Sequence, residues 1–211
     1  MLGEMELERL YLRPIDFYET NNIALRLGTK VDSIDTTEQS ISVQGETLSY
    51  DNLILTTGSW PRRLPAKIGG DLAGVYSMRD LTDADAMANE FQEGRRTLII
   101  GGGYIGLEAA AVAAKKRVNV TLVEMADRIL RRVAAPQTSD YFRAAHTAQG
   151  VDIREGVGLD HLIERDGRVG AAKLSDGSEI EIDFAIVGVG IFPASELAEA
   201  AGITLENGIK V

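Results

Sequence analysis

The sequence predicts an α/β fold organised around a parallel sheet, and three features lead there. A β-branched run over residues 97–100 ends at Gly101-Gly102-Gly103, and an Ala-rich, helix-forming stretch over 104–116 follows it. A second strand-like run over 119–123 comes next and closes on Glu124. Strand, helix and strand joined by short loops imply a right-handed crossover, and with it a parallel pair. The third feature is antiparallel: Asp176-Gly177 lies between strand-like runs at 169–174 and 179–182, and Asp-Gly supplies the positive φ that a two-residue hairpin needs.

The elements follow in chain order. Arg13-Pro14 precedes a short helix over 16–20, and strand-like pieces at 23–27, 41–43 and 53–55 come after it, punctuated by Gly28 and Gly45. Glycines at such intervals mark turns, so the spacing suits a small antiparallel meander feeding one buried strand, the apolar Leu53-Ile54-Leu55. A loop with prolines at both ends, 61–65, and the pair Gly69-Gly70 lead to a helix over 83–93. Thr82 is its expected N-cap, because a hydroxyl there accepts from a free first-turn amide. Asp85 suits the helix start and Gly94 the stop. A further helix fits 136–148, with Pro136 at the first helical position and Gly150 at the exit. Phe184-Ala185-Ile186-Val187 reads as a buried strand, Gly188-Val189-Gly190 as a turn, and 196–201 as a short helix.

Composition narrows the function classes. The 211 residues, 45% of them apolar, allow one large domain or parts of two. With 32 acidic against 22 basic side chains the formal charge is −10, which argues against a binder that tracks nucleic-acid phosphates. Cys is absent, so the chain has no disulfide, thiolate metal site or thiol nucleophile. No apolar run reaches the roughly 18 residues of a spanning helix. Residues 1–12 carry three Glu before Arg9, unlike the basic start of a signal peptide. No membrane association and a cytoplasmic location are therefore expected. His146 and His161 stand far apart without metal-ligand spacing, and both read as surface or helix-end residues. No serine sits in a nucleophile elbow, and Trp60 before Pro61 reads as loop packing.

One constellation carries chemistry. Gly101-x-Gly103-x-x-Gly106 follows a strand, opens a helix, and precedes an acid some twenty residues on at the end of the next strand, which is the context of a dinucleotide site. Gly101 permits the tight turn, Gly103 lets backbone approach a pyrophosphate, and Gly106 lets the helix lie close to the sheet. Free amides and the positive end of the helix dipole meet the phosphates. Glu124 can accept hydrogen bonds from the adenine-ribose hydroxyls and would repel a 2′-phosphate, so NAD(H) is expected over NADP(H). Arg128, Arg131 and Arg132 follow closely: either they bind phosphate, or they are a solvated charged face, as charge runs usually are. Glu108 has two readings as well, a carboxylate aimed at the nicotinamide carboxamide or a first-turn acid favoured by the helix dipole.

The run Leu98-Ile99-Ile100-Gly101-Gly102-Gly103-Tyr104-Ile105-Gly106-Leu107-Glu108, followed by Val120-Thr121-Leu122-Val123-Glu124, resembles the FAD-dependent pyridine-nucleotide oxidoreductases. Within them it resembles the NADH:ferredoxin reductase branch of putidaredoxin and rubredoxin reductases. Leu12-Arg13-Pro14, Tyr50 through Gly58, Met78-Arg79-Asp80 and Gly188 through Pro193 agree in the same order.

The resemblance implies a Rossmann-like NADH-binding domain over 61–182 with a parallel sheet, helices and an antiparallel meander. Pieces of a second Rossmann-like FAD domain would flank it, at 1–60 and 183–211. It implies NAD(H) and FAD as cofactors, and a small iron–sulfur acceptor, ferredoxin or rubredoxin, as partner. Gly101, Gly103, Tyr104, Ile105 and Gly106 would hold the NADH pyrophosphate, Glu124 the adenine ribose, and Glu108 would lie by the nicotinamide. Arg132 would sit near the adenosine half, with Val189 and Gly190 beside the nicotinamide. Val31 and Arg79 match FAD contacts, and Thr57-Gly58 match the passage between domains. No residue is expected to act as acid, base or nucleophile.

Family members begin with a Gly-rich FAD loop and end with further segments, so the chain is expected to be a middle piece, inactive alone. Two departures stand out: Arg117 where a Gly commonly ends the helix, and Ala194-Ser195 where an Asn commonly follows the Pro. The absence of a Cys pair inside 61–182 counts against the thioredoxin-reductase branch. NADH oxidases, disulfide reductases and a non-catalytic NAD(H)-binding module remain the alternatives.

Overall fold

A computed structural model describes residues 6–211, so the first five residues of the acidic N-terminal stretch lie outside it. The chain forms two compact units. One is Pro61–Ile191; the other combines the chain up to Trp60 with Phe192–Val211.

In the second of these, helix α1 (Ile15–Thr20) starts directly after Pro14, whose fixed φ and missing N–H suit a helix entry. Strands β1 (Ser33–Asp35), β2 (Ser40–Val43) and β3 (Glu46–Ser49) form an antiparallel meander, with Ile34 opposite Ile41 and Ile41 opposite Leu48; only its middle strand is among the pieces the sequence suggested. Gln44 and Gly45 both have positive φ between β2 and β3, as a two-residue hairpin turn demands. Two expected strands do not form. Residues 23–27 and 53–55 have no ladder partner among the described residues, and Leu27 and Ile54 are exposed, the latter by 85%. An apolar run becomes a strand only where a neighbouring backbone takes its hydrogen bonds, which periodicity cannot reveal. Strand β4 (Ser59–Pro61) lies where the chain passes onward.

The unit Pro61–Ile191 holds the parallel sheet. Its elements in order are β5 (Val75–Ser77), α2 (Leu81–Ala88), β6 (Arg96–Ile100), α3 (Tyr104–Lys115) and β7 (Asn119–Glu124). Then come α4 (Pro136–Ala148), β8 (Asp152–Glu155), β9 (Leu159–Arg165), β10 (Arg168–Leu174), β11 (Glu179–Glu181) and β12 (Phe184–Val187). The five-stranded sheet runs β5-β12-β6-β7-β8, and every pair in it is parallel. Strands β9, β10 and β11 make a separate antiparallel sheet. Because side chains alternate across a strand, Ile99, Leu122, Phe184 and Ile186 face one core with Leu107, Ala110 and Ala113 of α3. Leu98, Ile100, Val123 and Ala185 face another with Leu162, Val169 and Leu174. Helices cover one face of the sheet and the antiparallel sheet covers the other, which explains why its strands read as unbroken apolar runs.

Two sequence expectations shift here. Helix α2 starts at Leu81 with Asp80 as its cap: Asp80 accepts from the Asp83 amide, and Asp83 accepts from the Asp80 amide in return. This reciprocal box satisfies two orphan donors at once, so Thr82 lies inside the helix, which ends at Ala88. Strand β12 pairs with β5 and β6, so the unit extends to Ile191, beyond the boundary at 182 that the sequence suggested. His146 lies in the last turn of α4, the helix-end position read from the sequence; it is half-buried, and both its ring nitrogens face carbonyl oxygens, Phe142 O at 2.9 Å and Leu107 O at 3.0 Å, linking α4 to α3.

Arg117 ends the turn after α3 with φ +59°. The left-handed conformation costs an L-residue about 1–2 kcal/mol, which is why a glycine suits the position. The loop keeps its shape nonetheless, with the Arg117 amide on Ala114 O and the Gly94 amide on Arg117 O. Arg117→Gly is expected to raise stability by up to about 1 kcal/mol, since glycine gives back part of the gain in unfolded-state entropy. The pair Arg117–Glu93 that it removes is exposed on both sides and weak. Urea denaturation checks this.

A polar cluster ties the unit together away from the glycine turn. Glu90 is buried and receives the Tyr76 hydroxyl at 2.7 Å and Arg168 Nη2 at 2.9 Å on one oxygen. Its other oxygen faces Arg95 Nη1 at 2.5 Å without an aligned hydrogen bond. Asp183 receives both the amide and the guanidinium of Arg96.

After Ile191 the chain returns through β13 (Ile191–Pro193), paired with β4, to helix α5 (Glu196–Ala200), which packs on β1.

Candidate functional site

The carboxyl ends of three parallel strands create the site. Ile100, Val123 and Val187 stand in register across β12, β6 and β7. The residues that follow them, Gly101, Glu124 and Gly188, are therefore brought together although they lie far apart in sequence. Such a crevice, beyond the carboxyl ends of the strands where the strand order reverses, is where open α/β sheets take ligands.

Each glycine of the turn has its own physical reason. Gly101 has φ +106°, and a Cβ there would run into the backbone oxygen of Gly188. A Cβ on Gly106 would strike the carbonyl oxygen of Gly101, so only glycine lets α3 sit against the turn. Gly103 is the N-cap of α3 and differs: among the described residues nothing lies within 4 Å of a Cβ built on it, and no side chain caps the helix. The first-turn amides of α3, which have no intrahelical acceptors, thus face an open space. Gly106→Ala is expected to cost at least about 1 kcal/mol and to weaken nucleotide binding, because neither the Gly101 carbonyl nor the helix backbone can give way locally. Thermal unfolding and calorimetric titration of the same sample check both parts.

Glu124 is half-buried at the end of β7, and backbone amides orient its carboxylate. The Gly102 amide donates to one oxygen at 2.7 Å and the Ala126 amide to the other at 2.8 Å. Each oxygen keeps a free lone pair. Gly102, which the spacing treated as a filler position, proves necessary: a Cβ there would lie 2.6 Å from Ile129 Cγ2. The triple-glycine run was its only signal.

The structure separates the three arginines after β7. Arg128 binds Ser139 Oγ and the carbonyls of Arg131 and Ala134, so it holds the loop's shape. Arg131 pairs with Asp127 on the surface. Arg132 has no partner among the described residues, and its Nη2 lies 3.7 Å from where a Cβ on Gly190 would stand. Its loop is pinned to the glycine turn by the Leu130 amide on Gly102 O at 2.9 Å, and braced by Glu155 on the Ile129 amide.

Glu108 is not in the first turn of α3, which contains no acid. It lies one turn further on and is exposed, on the same helix face as the exposed Tyr104 and Ile105. The dipole explanation therefore loses its ground. Val189 packs on the second core, and Gly190 has φ +105°.

The remaining predicted contacts lie elsewhere. In the unit containing β1, β2 and β3, Val31 lines a hollow of about 400 Å³ with Ile41, Val43 and Leu48. There the Thr57 hydroxyl donates to Ala194 O at 2.6 Å, and Gly58 O accepts from the Ala194 amide. Arg79 belongs to the unit Pro61–Ile191, where its amide donates to Asp83 just before α2. Among the described residues no helix is long and apolar enough to cross a membrane.

The family model for pyridine nucleotide-disulphide oxidoreductases matches residues 6–211. A ferredoxin–NAD(P)(+) reductase of a Sphingomonas species is 41% identical over all of this chain and 51% of its own length. Putidaredoxin reductase of Pseudomonas putida is 39% identical, again over the whole chain and 51% of the relative. The crystal structure of a covalent putidaredoxin reductase–putidaredoxin complex superposes with a TM-score of 0.90 at 39% identity, covering 98% of this chain and 51% of that one. The chain thus spans about half the length of the relatives it matches. Sequence, sheet order and glycine turn agree, and the chain belongs to the pyridine nucleotide-disulphide oxidoreductase family.

Proposed function

We propose that this chain is the NADH-binding portion, with parts of the flavin-binding portion, of an FAD-dependent NADH:ferredoxin or NADH:rubredoxin reductase. The observation that carries the reading is the pairing of an open, uncapped helix start at Gly103 with an amide-oriented carboxylate at Glu124. Those are the two contacts a dinucleotide needs, at its diphosphate and its adenine ribose. The reductases of the ferredoxin, putidaredoxin and rubredoxin type among the relatives supply the acceptor class.

On this reading, residues 61–191 bind NADH, and 1–60 with 192–211 belong to the flavin-binding part. Gly101, Gly103, Tyr104, Ile105 and Gly106 hold the diphosphate, Glu124 grips the ribose, and Glu108, Val189 and Gly190 line the nicotinamide end. Val31 and Arg79 are flavin contacts, and Thr57 and Gly58, where the chain passes between the two parts, are cofactor-binding. The chemistry, hydride transfer from NADH to FAD and single-electron delivery onward, is supplied by the cofactors. These side chains position them, and near-attack geometry at about 3–3.5 Å is their main contribution. A cytoplasmic setting is part of the same proposal.

The test uses full-length protein with NADH and four candidate acceptors: ferredoxin, rubredoxin, a disulfide and oxygen. Fastest turnover with an iron–sulfur protein is expected; faster disulfide or oxygen reduction would reassign it within the family. The 211-residue chain alone is expected to bind NADH weakly and to lose flavin on desalting, and retained yellow colour would contradict that.

A further inference from the structure

Two carboxylates stand side by side where the parallel sheet ends. Glu124 and Glu155 are paired in register at the carboxyl ends of β7 and β8, and like charges on neighbouring strands repel. Arg143 of α4 offsets the charge on Glu155. Its Nε donates to one carboxylate oxygen and its Nη2 to the other, each at 2.9 Å, while Asp140 accepts from the remaining guanidinium nitrogen at 2.7 Å. Held in this way, Glu155 accepts the Ile129 amide at 2.8 Å, in the loop between β7 and α4. Neither Arg143 nor Glu155 belongs to a sequence motif.

The residue after Ile129 is strained. Leu130 is buried with φ +55°, a conformation that residues with a side chain avoid. Such strain persists only where the surroundings over-determine it, and here the backbone is tied on every side. The Ile129 carbonyl accepts from Ser139 Oγ at 2.6 Å. The Leu130 carbonyl accepts the Val133 and Ala134 amides, and the Leu130 amide donates to Gly102 O at 2.9 Å. That last bond reaches the glycine turn. In a trans peptide the carbonyl and the amide hydrogen point in opposite directions. A Gly102 carbonyl turned towards Leu130 therefore turns the Gly103 amide away from the loop, to the open space before α3. That amide has no acceptor among the described residues.

We propose that Glu155, held by Arg143, is a positioning residue for dinucleotide binding: through Ile129 and the strained Leu130 it aims the Gly103 amide at the diphosphate. It touches no nucleotide itself. The inference rests on the nucleotide-binding reading above and gives that site a support from β8 and α4. Without the bond to Ile129, Leu130 relaxes and Gly102 O loses its partner. The peptide between Gly102 and Gly103 then turns readily, because glycine flanks it on both sides.

Three measurements on the full-length protein test it: hydrogen–deuterium exchange without nucleotide, calorimetric titration with NADH, and thermal unfolding. The proteins compared are wild type, Glu155→Ala, Glu155→Gln and Arg143→Gln. Glu155→Ala is expected to speed exchange of the Gly102 and Leu130 amides. It should also lose roughly tenfold in NADH affinity, the equivalent of the strain released at Leu130. Glu155→Gln keeps a carbonyl oxygen for the Ile129 amide but, like Glu155→Ala, loses the ion pair. A merely structural pair would give both variants the same binding loss. The brace predicts that Glu155→Gln falls as far in unfolding midpoint yet stays within about threefold of wild-type affinity. Equal NADH losses in the two overturn the proposal, as does unchanged exchange or unchanged affinity in Glu155→Ala. If Glu155→Ala does not fold, Arg143→Gln decides: it frees Glu155 to turn from Ile129 and must show the same changes at smaller size, and their absence overturns the brace. A wild type that binds no NADH removes the underlying reading instead, and the exchange result then judges the brace alone.

Discussion

Glu124→Ala is expected to weaken NADH binding about a hundredfold and to abolish preference for NADH over NADPH. A carboxylate accepting the ribose hydroxyls contributes roughly 1.5–3 kcal/mol per charge-assisted bond, and tenfold in affinity corresponds to about 1.4 kcal/mol. The same carboxylate opposes a 2′-phosphate, so its removal helps NADPH while it harms NADH. The substitution also strips the acceptors from the Gly102 and Ala126 amides, which loosens the glycine turn for both nucleotides. The ratio of the two affinities separates these effects. A collapse of the ratio identifies ribose recognition, whereas equal losses would show that Glu124 only supports the loop. Parallel titrations with both nucleotides decide the matter.

Glu90→Ala is expected to destabilise the unit Pro61–Ile191 by about 3 kcal/mol. Breaking a fully buried ion pair costs about 3–5 kcal/mol. The lower end applies because Arg168 is 42% exposed and Arg95 26%, so both can turn to water. Tyr76 would lose the acceptor of its hydroxyl. The cluster also makes stability depend on pH at both ends. Burial pushes the Glu90 carboxyl up, but hydrogen bonds from Tyr76 and Arg168 and the charge of Arg95 outweigh it and hold it below its ordinary 4.5. Asp183 is likewise lowered, first by its hydrogen bond to Arg96. A carboxylate depressed in the folded state contributes stability that is complete above its unfolded pKa and drains as pH falls through the folded one. Tyr76 is pushed from 10.0 up to about 12 by burial and by Glu90. Its contribution is complete below pH 10 and is lost as pH rises from there towards 12. Unfolding midpoints across pH should therefore decline on both flanks, and Glu90→Ala should reduce each decline, leaving the part due to the Arg96 bond on Asp183 and to burial of Tyr76.

Legibility followed the range of the interactions. Helix α4 begins at Pro136 and ends at Ala148 as read, and strand β12 spans 184–187 as read, because a proline start and a four-residue apolar run are local signals. The cap of α2 was misplaced by two residues, since Asp80 and Thr82 are both good caps and only the reciprocal bonds with Asp83 choose between them. Strands at 23–27 and 53–55 were read from apolarity that finds no partner among the described residues. Strands β5, β8 and β9 went unread because they are short or mixed in polarity, and their pairing partners lie elsewhere in the chain. The exit at Ile191 was missed for a related reason: a strand's sheet membership is a tertiary fact.

The sequence by itself determined the strand–glycine turn–helix–strand unit and the acid at its end, because φ preference, close backbone approach and helix capping act over a few residues. Tertiary structure alone decided which groups meet at the mouth of that turn. Sheet order set Gly188 against Gly101 and Gly106. The bond from the Leu130 amide to Gly102 O tied the loop after β7 to the glycine turn. Such contacts join residues from distant parts of the chain through hydrogen bonds whose partners no local pattern specifies.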